Sequence, residues 1–270
     1  KILKNHHLLN NNKIKIFENN LENTKSLKKI ITKIKPDILI NLASKNVNAT
    51  TQTTNKKFYK YNYQIFKNLI NTTIKINNDI KIINIGSSRM FDFHNSKIIN
   101  EKTPFNSISN YGLFRISCHE YLLKLSQRSR INFCTVILFN HESKYRNKNF
   151  LLPRIIKSIN DKDYDFIRKI YRENIKLDVS HAEDICRGIA KIAFSNKKIE
   201  KVILSSGKLT KINSLINFLL KIKKLKLNKL PIPKNNKKFY LGKSLYMEKH
   251  FKFYNKKNIL SAIKEMALFR

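Results

Sequence analysis

The chain has 270 residues, 41% of them hydrophobic, which is enough for one large domain or two small ones around a substantial core. Its net charge of +37 comes mainly from lysines spread along the whole chain among Asn and Ile residues, and all three residue types have AT-rich codons. Biased base composition therefore accounts for the charge, and a nucleic-acid binder, which clusters its cations on one element, is disfavoured, although a nucleotide diphosphate would still be attracted.

Three distant cysteines, Cys118, Cys134 and Cys186, form no CxxC pair and suggest neither a disulfide framework nor a metal site. No apolar run reaches the roughly 20 residues that span a bilayer, and the first residues lack the apolar core of a secretory signal. The expectation is a cytoplasmic protein without a membrane partner.

Residues 13–17 (KIKIF) read as a strand, and 23–35 as a helix with Leu27, Ile30, Ile31 and Ile34 on one face, ended by Pro36. Residues 37–44 read as a buried strand, 57–76 as a long helix and 79–88 as a second buried strand. A helix over 111–129 leads to a strand over 131–140. Residues 175–194 read as a strand turning into an amphipathic helix, 201–225 repeat that step, 231–238 form a solvated loop and 257–269 a last helix. Near-continuous apolar strands separated by helices indicate an α/β protein with a mostly parallel sheet covered on both faces. In such sheets ligands sit beyond the carboxyl ends of the strands, here after Leu42, Ile85 and Phe139. Those ends carry the strings NLASKN, GSSRMF and FNHESKYRNKNF. Only five glycines occur, Gly86, Gly112, Gly188, Gly207 and Gly242, and neither a GxGxxG turn nor a phosphate-binding loop can be built from them.

The order KPDILINLAS, IGSSRMF, NEKTPFNSISNYG, ILFNHESKYRNKNF and KLDVSHAEDI resembles the extended short-chain dehydrogenase/reductase superfamily of NAD-dependent sugar-nucleotide epimerases and dehydratases. Within it, the FNHES string followed by an Arg and an NF pair is most similar to the GDP-mannose 4,6-dehydratase branch. The likeness runs from residue 13 to the closing segment LGKSLYMEKHFKFYNKKNILSAIKEM. The superfamily's first strand, Gly-rich turn and first helix have no counterpart, so the expectation is an N-terminally truncated chain. The implied fold is a Rossmann-like doubly wound parallel sheet with a smaller C-terminal substrate-binding domain. Residues 1–142 and 173–200 would form the NAD(P)-binding domain without its first βα unit, and 143–172 with 201–270 the substrate domain.

The resemblance also implies roles. Tyr111 matches the tyrosine that takes a hydroxyl proton from the sugar, and Arg115, one helical turn later, stands where the family has lysine; it keeps the charge but not the geometry of an ammonium. Ser87 matches the serine or threonine that holds the reacting sugar oxygen. Arg89 occupies the position of the dehydratases' glutamate, and an arginine cannot exchange that proton. Leu42, Ala43, Ser44, Asn62, Tyr111, Arg115 and His141 are the expected contacts to NADP or NAD. Asn140, Glu142, Arg146, Arg154 and Lys176 are the expected contacts to a GDP-sugar, with Leu177 where an arginine is usual. His181 and Asp184 are expected to hold a strand-to-helix turn. No metal is expected, and the likeness implies a homo-oligomer, a dimer or tetramer. The activity implied is NADP-dependent oxidation at C4 followed by dehydration to a 4-keto-6-deoxy sugar. The alternatives are a catalytically impaired protein that binds a sugar nucleotide or partner, and a sugar-nucleotide epimerase.

Overall fold

In the computed structural model, residues 13–44, 56–91, 98–129, 131–227, 229–235 and 239–269 are described. Helix α1 (Thr24–Ile34) starts at Asn23, whose side chain accepts from Ser26 N, and ends at Lys35 in the left-handed conformation ahead of Pro36. Strand β1 (Ile38–Asn41) follows, then α2 (Lys56–Ile76), β2 (Lys81–Ser87) and a 3-10 turn at Ser88–Met90. Strand β3 (Ile98–Ile99) precedes α3 (Asn110–Arg128), β4 (Asn132–Leu138) and β5 (Asn140–Glu142). The next elements are α4 (Leu151–Asn160), α5 (Tyr164–Glu173), β6 (Lys176–His181), α6 (Ala182–Ala193) and β7 (Lys201–Leu204). The described chain closes with β8 (Leu209–Lys211), α7 (Ile212–Ile222), β9 (Leu241–Gly242), α8 (Leu245–Phe251) and α9 (Ile259–Phe269).

The main sheet has the order β1-β2-β4-β7 with every pair parallel. Parallel pairing demands cover on both faces, and the side chains supply it. Ile82 and Phe133 pack with Phe66 and Ile70 of α2 and with Phe114, Cys118 and Leu122 of α3. Ile83, Ile85, Cys134 and Val136 face Ile185, Ile189 and Ile192 of α6 and Met247 and Phe251 of α8. A second sheet, β5-β6-β8, lies beside a separate apolar core shared by α4, α5, α7 and α9, while β3 and β9 form a short parallel pair.

The expected α/β architecture with a parallel sheet is therefore present, with one departure. Residues 13–17 form no strand: Ile14, Ile16 and Phe17 are exposed and pair with nothing among the described residues. Strand β7 completes the main sheet, whereas β6 pairs with β5 and β8 in the smaller sheet.

Buried carboxylates join these parts. Glu101, 2% exposed, accepts from Ile203 N at 3.2 Å and Tyr246 N at 3.3 Å, tying the loop before α3 to β7 and α8. Burial pushes its carboxyl up, and the backbone donors oppose that shift. Asp184 accepts from Lys256 N and Lys257 N and pairs with Arg187, while His181 caps α6 by accepting from Glu183 N.

Candidate active site at the carboxyl ends of the parallel strands

Helix α3 begins with Ser109, whose hydroxyl accepts from Gly112 N at 3.1 Å, so that Tyr111 and Arg115 follow on successive turns. Gly112 lets this end of the helix lie against the turn after β2. A Cβ there would stand 2.1 Å from the Arg89 carbonyl oxygen and 2.0 Å from the Ser107 hydroxyl, so no larger residue fits without moving the helix.

Arg115 is only 4% exposed. Its Nε and Nη2 donate to the Tyr111 hydroxyl at 3.3 and 3.2 Å, Nη1 donates to the Ile85 carbonyl at 2.8 Å, and Nη2 also donates to the Ser44 hydroxyl at 2.8 Å. The guanidinium thus gathers the ends of β1 and β2 around the phenol, and it lies 5.2 Å from the Tyr111 ring centroid and 5.0 Å from that of Phe114. A buried cation needs such partners, since an unpaired one would be strongly disfavoured. Chemically, the arrangement presents a phenol oxygen with two charged N–H donors aimed at it, next to a serine hydroxyl and half open to solvent.

Ser87 ends β2, two residues past Ile85, and its hydroxyl accepts from Arg89 N at 3.2 Å, which starts the 3-10 turn. Arg89 is exposed on that turn. Leu42 is exposed at the end of β1, with Ala43 and Ser44 half-buried beside it. His141 follows β4, its Nδ1 donating to the Phe139 carbonyl at 2.9 Å, which fixes the proton on that nitrogen. Burial lowers the His141 pKa, the Phe139 carbonyl opposes this and the nearby Arg146 charge adds to the lowering, which favours the neutral ring.

The expected substrate residues divide into two groups. Asn140 is exposed, with Nδ2 donating to the Asp178 carbonyl at 3.1 Å, while Glu142 is buried, with its carboxylate 3.6 Å from Arg146 Nε. Arg146 stacks its guanidinium 3.7 Å from the Phe150 ring centroid. These residues share one strand end and loop. Arg154 lies farther on, in α4, 4.8 Å over the Phe166 ring, and Lys176 opens β6, three residues before Val179, the register partner of Asn140. Among the described residues no hydrogen bond joins Arg154 or Lys176 to the Tyr111 group. Asn62 is fully buried in α2, with Nδ2 donating to the Phe58 carbonyl at 3.0 Å.

Sequence reasoning missed Asn41 and Asn84, buried polar residues at matching positions of β1 and β2. The available signal was a single asparagine inside each of two apolar strand strings, ILIN and KIINIG.

The family model described as GDP-mannose 4,6 dehydratase matches residues 1–253. Two curated relatives from Arabidopsis thaliana, GDP-mannose 4,6 dehydratase 2 and GDP-mannose 4,6 dehydratase 1, are each 26% identical over 174 residues, 63% of this chain. Those alignments take in 46% and 48% of the relatives, so the chain spans about half the length of the curated proteins it matches. Among solved structures, dTDP-glucose 4,6-dehydratase from Bacillus anthracis in complex with NAD superposes with a TM-score of 0.80 at 13% identity, covering 97% of this chain and 81% of that one. UDP-glucuronic acid 4-epimerase from Bacillus cereus in complex with UDP-glucuronic acid and NAD gives 0.80 at 16% identity, covering 97% and 83%. At such identities these superpositions establish the fold.

Proposed function

The chain belongs to the GDP-mannose 4,6 dehydratase family, and from that premise we propose that it oxidises a nucleotide sugar at C4 with Tyr111 as the base. The observation that carries this reading is the Tyr111 hydroxyl held by Nε and Nη2 of Arg115 beyond the ends of β1 and β2. Those donors face the oxygen that carries negative charge once Tyr111 has released its own proton to solvent, and the phenolate then takes the proton of the C4 hydroxyl as the hydride leaves C4. Ser87, on the adjacent strand end, holds the same sugar oxygen. A bound NADP or NAD would supply the acceptor for the hydride that leaves C4. Ser44, Tyr111 and Arg115 fit the ribose end of such a cofactor, because a hydroxyl, a phenol and a guanidinium converge there, and neutral His141 stands at the neighbouring strand end. None of the five glycines belongs to a Gly-rich turn that could cradle its pyrophosphate.

The substrate class that suits the site is a GDP-sugar. Arg146 and Arg154 carry forked donors suited to a diphosphate, and Asn140 is exposed at the strand end that leads into the Arg146 loop. Arg89 removes the acid and base that loss of water across C5 and C6 requires, so the residues present serve oxidation rather than elimination.

The test is to incubate the protein with GDP-mannose and either nicotinamide cofactor, following reduced cofactor by absorbance and the sugar nucleotide by mass. We expect a 4-keto product without loss of water, abolished by Tyr111→Phe. Arg89→Glu should add the loss of water. The exposed Arg89 favours a second reading, a protein that binds a sugar nucleotide without transforming it; tight GDP binding with no turnover in any of these proteins would establish it.

A further inference from the structure

A row of buried polar side chains crosses the centre of the main sheet beneath α3. Asn41 of β1 and Asn84 of β2 are register partners, 2% and 0% exposed, and the next partner across the sheet is Thr135 of β4, also fully buried. Polar groups in an otherwise apolar sheet are costly unless they are joined to something. Helix α3 answers the row with two buried polar residues one turn apart: His119 Nδ1 lies 2.9 Å from Thr135 Oγ1, and Arg115 donates to the carbonyl of Ile85, the residue after Asn84.

Asn41 makes two bonds with different consequences. Its Nδ2 donates to Asn84 Oδ1 at 3.3 Å, fixing the amide against the middle of the sheet. Its Oδ1 accepts from Ala43 N at 3.1 Å, closing the tight turn by which the chain leaves β1. That turn delivers Ser44 to Arg115 Nη2, and the same Nη2 reaches the Tyr111 hydroxyl. The path from the sheet centre to the phenol is therefore continuous: Asn84, Asn41, the turn at 42–44, Arg115, Tyr111.

We propose that Asn41 is a positioning residue for Tyr111, acting through Ser44 and the Arg115 guanidinium with Asn84 as its partner in the sheet. The inference rests on the reading of Tyr111 as the reacting base. Leucine has the shape of asparagine and neither of its hydrogen bonds, so Asn41→Leu leaves the sheet filled while releasing the turn. A displacement of about 1 Å at a reacting group lowers turnover by roughly 100-fold. The loop from Asn140 to Arg146, which would hold the nucleotide, is untouched.

Two measurements test this. In steady-state kinetics with nucleotide sugar and cofactor, Asn41→Leu should lower kcat by about 10- to 100-fold with KM for the sugar nucleotide nearly unchanged. Ser44→Ala, which cuts the same path at a half-buried position without touching the sheet, should reproduce that loss even where Asn41→Leu folds poorly. Unchanged kcat in Ser44→Ala would overturn the proposal. Independently of activity, melting temperatures of the wild type, Ser44→Ala, Arg115→Met and the double variant form a cycle. Coupling requires the double variant to melt no lower than Arg115→Met alone, and simple addition of the two losses would overturn it. A wild type that turns over no nucleotide sugar would end the functional reading and leave the melting cycle to decide the connection between Ser44 and Arg115. An active wild type with an additive cycle would end the positioning proposal and leave the function standing.

Discussion

Arg115 makes hydrogen bonds that a lysine could not make together. Its planar fork reaches the Ile85 carbonyl, the Ser44 hydroxyl and the Tyr111 hydroxyl from one buried position, while an ammonium is a point donor at the end of a flexible stem. Arg115→Lys, although it installs the residue the family carries, should therefore destabilise the protein by about 1–3 kcal/mol, because one or more buried acceptors lose their partner. Urea unfolding at neutral pH measures it, and unchanged stability would show that lysine satisfies the same groups. One turn further along α3, His119 is buried between Phe105 and Phe133, with Nδ1 at Thr135 Oγ1. Burial, with Lys201 adding to it, lowers its pKa from 6.5 to about 4. The unfolded chain then binds a proton that the folded one refuses, so stability is complete above about pH 6.5 and falls as the pH drops toward 4. The loss approaches roughly 3 kcal/mol at about 1.4 kcal/mol per unit. His119→Gln should flatten the pH dependence of the unfolding midpoint over this window relative to the wild type, and parallel curves for the two proteins would contradict it.

At the scale of elements, α3 is the piece that makes the site, and its first turn is set by contact with the turn after β2. Gly112→Ala would drive a methyl group into the Arg89 carbonyl and the Ser107 hydroxyl, so the helix must tilt or slide and carry Tyr111 with it. The expected outcome is a loss of about 1–3 kcal/mol in stability together with loss of activity, checked by thermal melting and the oxidation assay; a protein that keeps both would mean that the helix start yields to the methyl group without moving Tyr111. The same element shows what the sequence could reveal. Tyr111 and Arg115 are one turn apart on a single helix, so their meeting followed from local spacing. The long helices α2 and α3 and the apolar strands β2 and β4 were legible for the same reason, since their periodicity lies within a continuous segment. Asn41 and Asn84 meet only through strand register, which no local pattern records. Strands β3 and β9 are two residues each and exist because they pair with each other, while residues 13–17 have strand composition and no strand pairing among the described residues. Composition chose the fold class; pairing chose which segments became strands.

At the scale of the molecule, one carboxylate sits where all three sheets approach one another. Asp178 of β6, fully buried, accepts from Ser206 N at 2.7 Å and the Ser206 hydroxyl at 2.6 Å, just beyond β7 of the main sheet. It also accepts from Gly207 N at 3.3 Å and from Gly242 N of β9 at 3.0 Å. Burial raises its pKa and these donors pull the other way, so the cost of desolvating the carboxylate is offset by the four N–H and O–H groups that donate to it. The apolar cores on the two sides are separate: one lies between the main sheet and α6 with α8, the other among α4, α5, α7 and α9. Two cores joined through a polar junction unfold together only while the junction holds. Asp178→Ala strands donors of two segments at once, the turn at Ser206 and Gly207 and strand β9, a loss of about 3 kcal/mol or more concentrated at the joint rather than in either core. Calorimetry should then resolve two transitions where the wild type shows one, with the Tyr111 side retaining its own melting temperature. A single transition shifted bodily to lower temperature would mean instead that the two cores are coupled by their apolar contacts and that the carboxylate only adds to them.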